Sequence, residues 1–152
     1  MSTGEKGAVN IRPMTRDDIH AVLALDRKIG EGRSSLNYAD MDATNPGGPA
    51  DLSFIAEIDG RVAGFIISRL AYLMIPFTEV CLIQGMVIDP AHQGRGTGSK
   101  LMEKLFEHCR TKGINTIRAL LPERNEVLRQ FVEYHGFRRS NIVNYDKTFE
   151  SE

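Results

Sequence analysis

Cysteine is scarce in this chain. Its 152 residues hold two, Cys81 and Cys109, each inside an apolar stretch. That number and spacing make neither a disulfide framework nor a metal site, so both are expected as small buried hydrophobes in a reducing cytoplasm. The four histidines, at positions 20, 92, 108 and 135, lack ligand spacing, and no metal is expected. An excess of one charge is also missing. The formal net charge is −1, which gives no electrostatic reason for nucleic acid or an anionic membrane as a partner. No apolar run approaches the roughly 20 residues that a bilayer requires, and the opening MSTGEKGAVN has no apolar region of a signal peptide. Residues 1–7 read as a flexible tail and residues 8–152 as a single domain.

What is present is ordinary globular material, 41% hydrophobic and 26% charged, enough at this length for one core without a covalent staple. Residues 9–14 read as a strand. Thr15 is a good N-cap, with Asp17 and Asp18 in the first turn of a helix whose apolar face is Ile19, Val22, Leu23, Leu25 and Ile29. Gly30 stops it. The polar stretch 31–51 is broken by Asn-Pro-Gly-Gly-Pro at 45–49 and reads as a short helix over 34–41 followed by a loop. Strands over 54–58 and 62–73 flank Asp59-Gly60, a hairpin signal. A strand over 80–88 ends at Asp89-Pro90. Leu101, Met102, Leu105, Phe106 and Cys109 stripe a helix over 97–112 that Gly113 caps. A strand follows over 114–121, then a helix from Asn125 to about His135 ended by Gly136, then strands over 137–139 and 142–149. This order implies an α/β (α+β) fold with mixed pairing.

The segment that carries chemistry is QGMVIDPAHQGRGTGSK, residues 84–100. An apolar strand runs into a loop with glycines at 94, 96 and 98, and a helix starts at once. Glycine allows close backbone approach to a ligand, and a helix N-terminus presents N–H groups and a positive dipole end. Together they suit a pyrophosphate; a tight turn that binds nothing has the same glycine spacing. Two familiar phosphate loops fail. Gly98 is followed by Ser99 and then Lys100, the wrong order for a Walker A loop. A single residue, Thr97, separates Gly96 from Gly98, where a dinucleotide fingerprint needs two.

Gln93-Gly94-Arg95-Gly96-Thr97-Gly98 resembles the pyrophosphate loop of the GNAT superfamily of acetyl-CoA-dependent N-acetyltransferases, Gln/Arg-x-x-Gly-x-Gly/Ala. Met86 to Pro90 resembles that family's fourth strand and its exit. Asn125-Glu126-Val127-Leu128, Phe131 and Tyr134-His135-Gly136-Phe137 resemble its later helix. The resemblance covers about residues 8–149. It implies a mixed, mostly antiparallel central sheet with helices on both faces and a splayed parallel strand pair. It also implies acetyl-CoA as cosubstrate. The backbone of Gly94, Arg95, Gly96, Thr97 and Gly98, with Ser99 close by, would hold the pyrophosphate in the loop opened by Gln93. The backbone of Met86, Val87 and Ile88 would pair with the pantetheine amides, and Asn125 would lie near the thioester or act as a helix cap only. Arg95 either adds charge near phosphate or is solvated, and Lys100 reads as surface.

The implied reaction is attack of a neutral amine on the thioester carbonyl. A lysine with a pKa of about 10.4 must give up roughly 4–5 kcal/mol to be neutral at pH 7, an α-amine of pKa about 8 only about 1. A carboxylate that accepts the proton directly or through water helps. Glu79 is the candidate base, at the start of the strand that leads to the loop; a solvated strand-end Glu is the other reading. The family often carries a Tyr seven residues after the capping Asn, aimed at the leaving sulfur. Here that position is Val132. Tyr134 stands two residues on, some 200° around an ideal helix, and is the nearest titratable group in the motif; Tyr145 is a second fallback. A thiol of pKa about 8.5 leaves readily without an acid. The expected partner is an amine acceptor, a small molecule or a protein, with a homodimer as a compatible assembly. The acidic excess of 31–51 (Glu31, Asp40, Asp42 and Asp51 against Arg33) suits a cationic acceptor. A non-catalytic acyl-CoA-binding module and a generic nucleotide-binding protein share the same loop.

Overall fold

The computed structural model describes residues 7–30, 49–72 and 79–150. The helix expected over 34–41 and the tail before Gly7 lie outside the described residues. By its own contacts the chain divides into two units, Met1–Leu120 and Leu121–Glu152.

The first unit is built on five strands in the order β1 (Val9–Pro13), β2 (Phe54–Ile58), β3 (Arg61–Tyr72), β4 (Glu79–Ile88) and β5 (Ile117–Ala119). The first four pair antiparallel in chain order, and β5 runs parallel to β4. The β2–β3 turn is Asp59-Gly60, as the hairpin signal implied, with both residues in the left-handed region at φ 51° and 76°. Successive side chains of a strand face opposite sides, so β2 sorts the two layers. Ile55 packs with Phe65 and Ile67 of β3 and with Ile19, Val22 and Leu25 of helix α1 (Ile19–Ile29). Its neighbour Phe54 turns the other way and meets the ring of His108 edge-on at 5.2 Å, on the longer helix Thr97–Lys112. Helices thus cover both faces, as the resemblance implied.

Helix α1 begins one turn later than expected. Thr15 opens a 3-10 turn, Arg16–Asp18, and the Asp18 carboxylate accepts both the Thr15 N–H (2.8 Å) and its hydroxyl (3.2 Å). The same carboxylate takes the Arg12 guanidinium in a fork at 2.7 and 2.8 Å, and Arg12 reaches on to Glu57 at 3.0 Å. The Arg12 hydrogen bond holds the Asp18 carboxyl below its usual range. The stretch expected as loop up to Asp51 ends in a helical turn, α2 (Pro49–Leu52), because Pro presets the first helical φ and has no N–H to leave unpaired. The long helix, α3 hereafter, closes on Gly113 at φ 76°.

In the second unit, helix α4 (Glu126–Tyr134) starts on Asn125, whose side chain accepts the Leu128 N–H at 3.0 Å. The strands expected over 137–139 and 142–149 do not form: residues 137–150 take part in no ladder. Alternation of Val143, Tyr145 and Phe149 makes a segment strand-compatible, but a strand exists only where another supplies its hydrogen bonds. These three side chains stand exposed.

Candidate functional site

Strand β4 changes character halfway along. Its ladder to β5 pairs Cys81 with Ile117, Leu82 with Arg118 and Ile83 with Ala119, and ends there. On the β3 side the register slips at the same place: Ile83 faces Ser68 but Gly85 faces Ile67, which leaves Gln84 as the extra residue of a bulge. From Gln84 to Ile88, about 13 Å of strand, β4 stays paired with β3 and has no partner on its other side among the described residues. This is the splayed parallel pair implied by the resemblance. Met86, Val87 and Ile88 lie on that open edge.

The exit of β4 is fixed by four hydrogen bonds. The Asp89 N–H donates to Ala63 O at 2.8 Å, and its carboxylate accepts the Ala91 N–H at 3.1 Å and the Lys28 ammonium at 3.3 Å. The Ala91 N–H, then Lys28, hold that carboxyl below its usual range. Gln93 turns its amide back to donate to Ile88 O at 3.2 Å, so the first residue of the motif locks the loop to the strand.

Gly94 and Gly96 then adopt φ 81° and 73°, left-handed conformations that suit glycine. A Cβ built on either would meet no atom within 4 Å. The backbone therefore borders open space, and Gly96 is the N-cap of α3. By helix geometry the N–H groups of the first turn have no acceptor four residues back. The residues fit a pyrophosphate: two left-handed glycines, open space before them and the positive end of a 16-residue helix. Thr97 is 2% exposed, and its buried hydroxyl finds no partner among the described residues. Arg95 is exposed, its guanidinium lying against Gly7. Gly98 and Ser99 are half-buried in the first turn, and Lys100 is exposed.

Glu79 is exposed at the start of β4, across from Tyr72. It lies about 13 Å along the strand from Ile83, on the face shared by Cys81. Cys81 and Cys109 are buried, as their apolar settings implied. Their mutual contact, then burial, pushes the Cys109 thiol up. In the second unit, Val132 is 7% exposed and Tyr134 82%, so the two point to opposite sides of α4. The Tyr134 ring meets its neighbour His135 edge-on, at 5.1 Å. Among the described residues no group of three or more His, Cys, Asp or Glu could hold a metal, and no helix is long and apolar enough to cross a membrane.

Arg69 of β3 and Arg118 of β5 both pair with Leu82 of β4, a register that the bulge at Gln84 hides from sequence periodicity.

A family model described as Acetyltransferase (GNAT) family matches residues 19–137. The chain is 27% identical over 103 residues to an L-2,4-diaminobutyric acid acetyltransferase of Nocardia farcinica, covering 68% of this chain and 50% of that protein. It is 25% identical over 140 residues to an uncharacterized N-acetyltransferase of Methanocaldococcus jannaschii, covering 88% and 62%. The chain thus spans only half to three fifths of the length of these curated relatives. Among solved structures, AAC(6')-Iy in complex with the bisubstrate analog CoA-S-monomethyl-acetylneamine superposes with a TM-score of 0.74 at 18% identity, covering 93% of this chain and 99% of that one.

Proposed function

The chain belongs to the GNAT acetyltransferase family, and on that premise we propose that it moves the acetyl group of acetyl-CoA to a primary amine. One observation carries the proposal. A loop of left-handed glycines opens α3 at the end of a strand whose outer edge is free from Gln84 to Ile88. In this reading the amides of Gly94, Arg95, Gly96, Thr97 and Gly98, with Ser99 beside them, hold the pyrophosphate. The open backbone of Met86, Val87 and Ile88 takes the pantetheine amides as a further strand would. Gln93 keeps loop and strand in one piece through its bond to Ile88. Acetyl-CoA supplies the activated thioester carbonyl.

The chain's own task is the proton of the amine. Glu79 is the proposed acceptor. Its place four residues upstream of the end of the β4–β5 ladder means that the proton reaches it through water rather than by contact. Asn125 and Tyr134 enter the proposal through the family motif alone; in this reading solvent protonates the leaving group or the sulfur departs as thiolate. Residues 8–152 act as one cytoplasmic catalytic domain. Both the named diaminobutyrate acetyltransferase and the CoA–acetylneamine analog bound by AAC(6')-Iy support a small-molecule amine as acceptor.

Thiol release from acetyl-CoA with a panel of diamines, amino acids, aminoglycosides and peptide N-termini tests the proposal. Amine-dependent release is expected. Tight CoA binding with no release for any amine would replace the enzyme by a binding module.

A further inference from the structure

Three arginines are half-buried among the described residues: Arg12, Arg69 and Arg118. Arg12 is neutralised by Asp18 and Glu57. Arg69 and Arg118 have no carboxylate partner among the described residues. The ladder sets them in one row, because Arg69 pairs with Leu82 and Leu82 pairs with Arg118. Paired residues of neighbouring strands share a face, so the two guanidinium stems flank Leu82 with their Cα atoms about 10 Å apart. The face is known: Arg69 stands two residues after Ile67, which packs under α1. This is the side opposite α3, whose N-terminus forms the glycine loop.

The row also lies at the split. Leu82 immediately precedes Ile83, the last β4 residue paired with β5, and Gln84, the bulge. Gln84 positions Arg69, since its Oε1 accepts the Arg69 Nε–H at 3.2 Å. That contact fixes the planar fork through its Nε while leaving both terminal nitrogens, which are the bidentate carboxylate-binding edge, for another acceptor. Half-burial packs the two stems on the sheet face, while the Arg69 head, bonded to Gln84 in an exposed setting, stays open to a ligand. Where a fork of this chain has a structural task, as at Arg12, two acids meet it.

Resting on the reading of the β4–β5 split as the transfer site, we infer that Arg69 and Arg118 hold a carboxylate of the acceptor. The acceptor is therefore an amine that carries a carboxylate a few bonds from the attacking nitrogen, that is, an amino acid. The donor's loop belongs to α3, and the acceptor's anion is received on the opposite face, so the two meet at the split from different sides.

The test compares each diamino acid with its decarboxylated counterpart as acceptor for the full chain: L-2,4-diaminobutyrate with 1,3-diaminopropane, and L-lysine with 1,5-diaminopentane. A charge-assisted bond to a carboxylate predicts kcat/KM at least about tenfold higher for the acid member of a pair. Arg69→Gln and Arg118→Gln should each lower that ratio by about tenfold, mainly by raising KM for the acid, and Arg69→Lys should restore part of it. Circular dichroism checks the fold, and the two substitutions on different strands stand in for each other if one fails to fold. Equal use of both members by the unaltered protein overturns the inference and leaves amine acetylation intact, as does an equal loss on both members in the variants. Absence of thiol release with every amine would instead bring down the proposed function, and this subsite with it.

Discussion

Arg12 on β1 and Arg69 on β3 are both half-buried on one sheet, yet Arg12 ends in two carboxylates and Arg69 in the neutral side chain of Gln84. The same contrast runs through the two ends of the sheet. At the β1–β2 end, Asp18 closes the start of α1, accepts Thr15 and binds Arg12, and the strands pair residue for residue from Val9–Ile58 to Pro13–Phe54. At the β4–β5 end the ladder is three pairs long, β4 carries a bulge, and among the described residues its edge is open and two arginines have no acid partner. Unmet hydrogen-bonding and charge capacity is costly in a folded chain. At this end the open edge of β4, the bulge and the two arginines lie together, and the proposed reading puts the ligands there.

The largest effect on the closed end should come from Asp18→Ala. It leaves the Arg12 guanidinium with Glu57 alone and removes the acceptor of the Thr15 amide, so a loss of about 2–3 kcal/mol is expected, read by thermal unfolding as a fall of roughly 5–10 °C. The pH dependence has a definite sign. The folded-state pKa of Asp18 is lowered, so its contribution is present above the unfolded value of about 3.9 and is lost as pH falls through the lower folded value. The Asp18→Asn variant should lack that acid-side slope. Unchanged stability in both variants would erase the distinction between the two ends.

On the open end, Glu79→Gln should lower kcat/KM by about 10², the low end of general-base effects, as suits transfer through water. A loss under threefold would hand the proton to solvent. The smallest effect belongs to Tyr134→Phe, expected to cost less than about tenfold in kcat. A hundredfold fall with the fold intact would restore a tyrosine acid despite its outward position.

Much of this was legible in the sequence for local reasons. The glycine loop, the Asp59-Gly60 turn and the Asn125 cap each depend on a few neighbouring residues, and each stands in the structure as the spacing implied. What depended on distant partners was not legible. The alternation over 142–149 resembles a strand but has no ladder, and the expected strand over 114–121 shrinks to Ile117–Ala119, the residues that pair with β4. The Arg69–Leu82–Arg118 row needs the register of three strands and the slip at Gln84, none of which a single segment encodes. The Thr15 cap was placed correctly, but Asp18, not the threonine side chain, does most of the capping.

The central claim is that the left-handed glycine loop and the open edge of β4 hold acetyl-CoA. Calorimetric titration of acetyl-CoA into the unaltered protein and into Gly96→Asp tests it most directly. At φ 73° an aspartate is strained, and its carboxylate would enter the open space in front of the α3 N-terminus and repel a phosphate there. The account predicts saturable binding by the unaltered chain and a loss of at least about a hundredfold, roughly 2.7 kcal/mol, in a Gly96→Asp variant that circular dichroism shows to be folded. Unchanged acetyl-CoA affinity in that folded variant would contradict it.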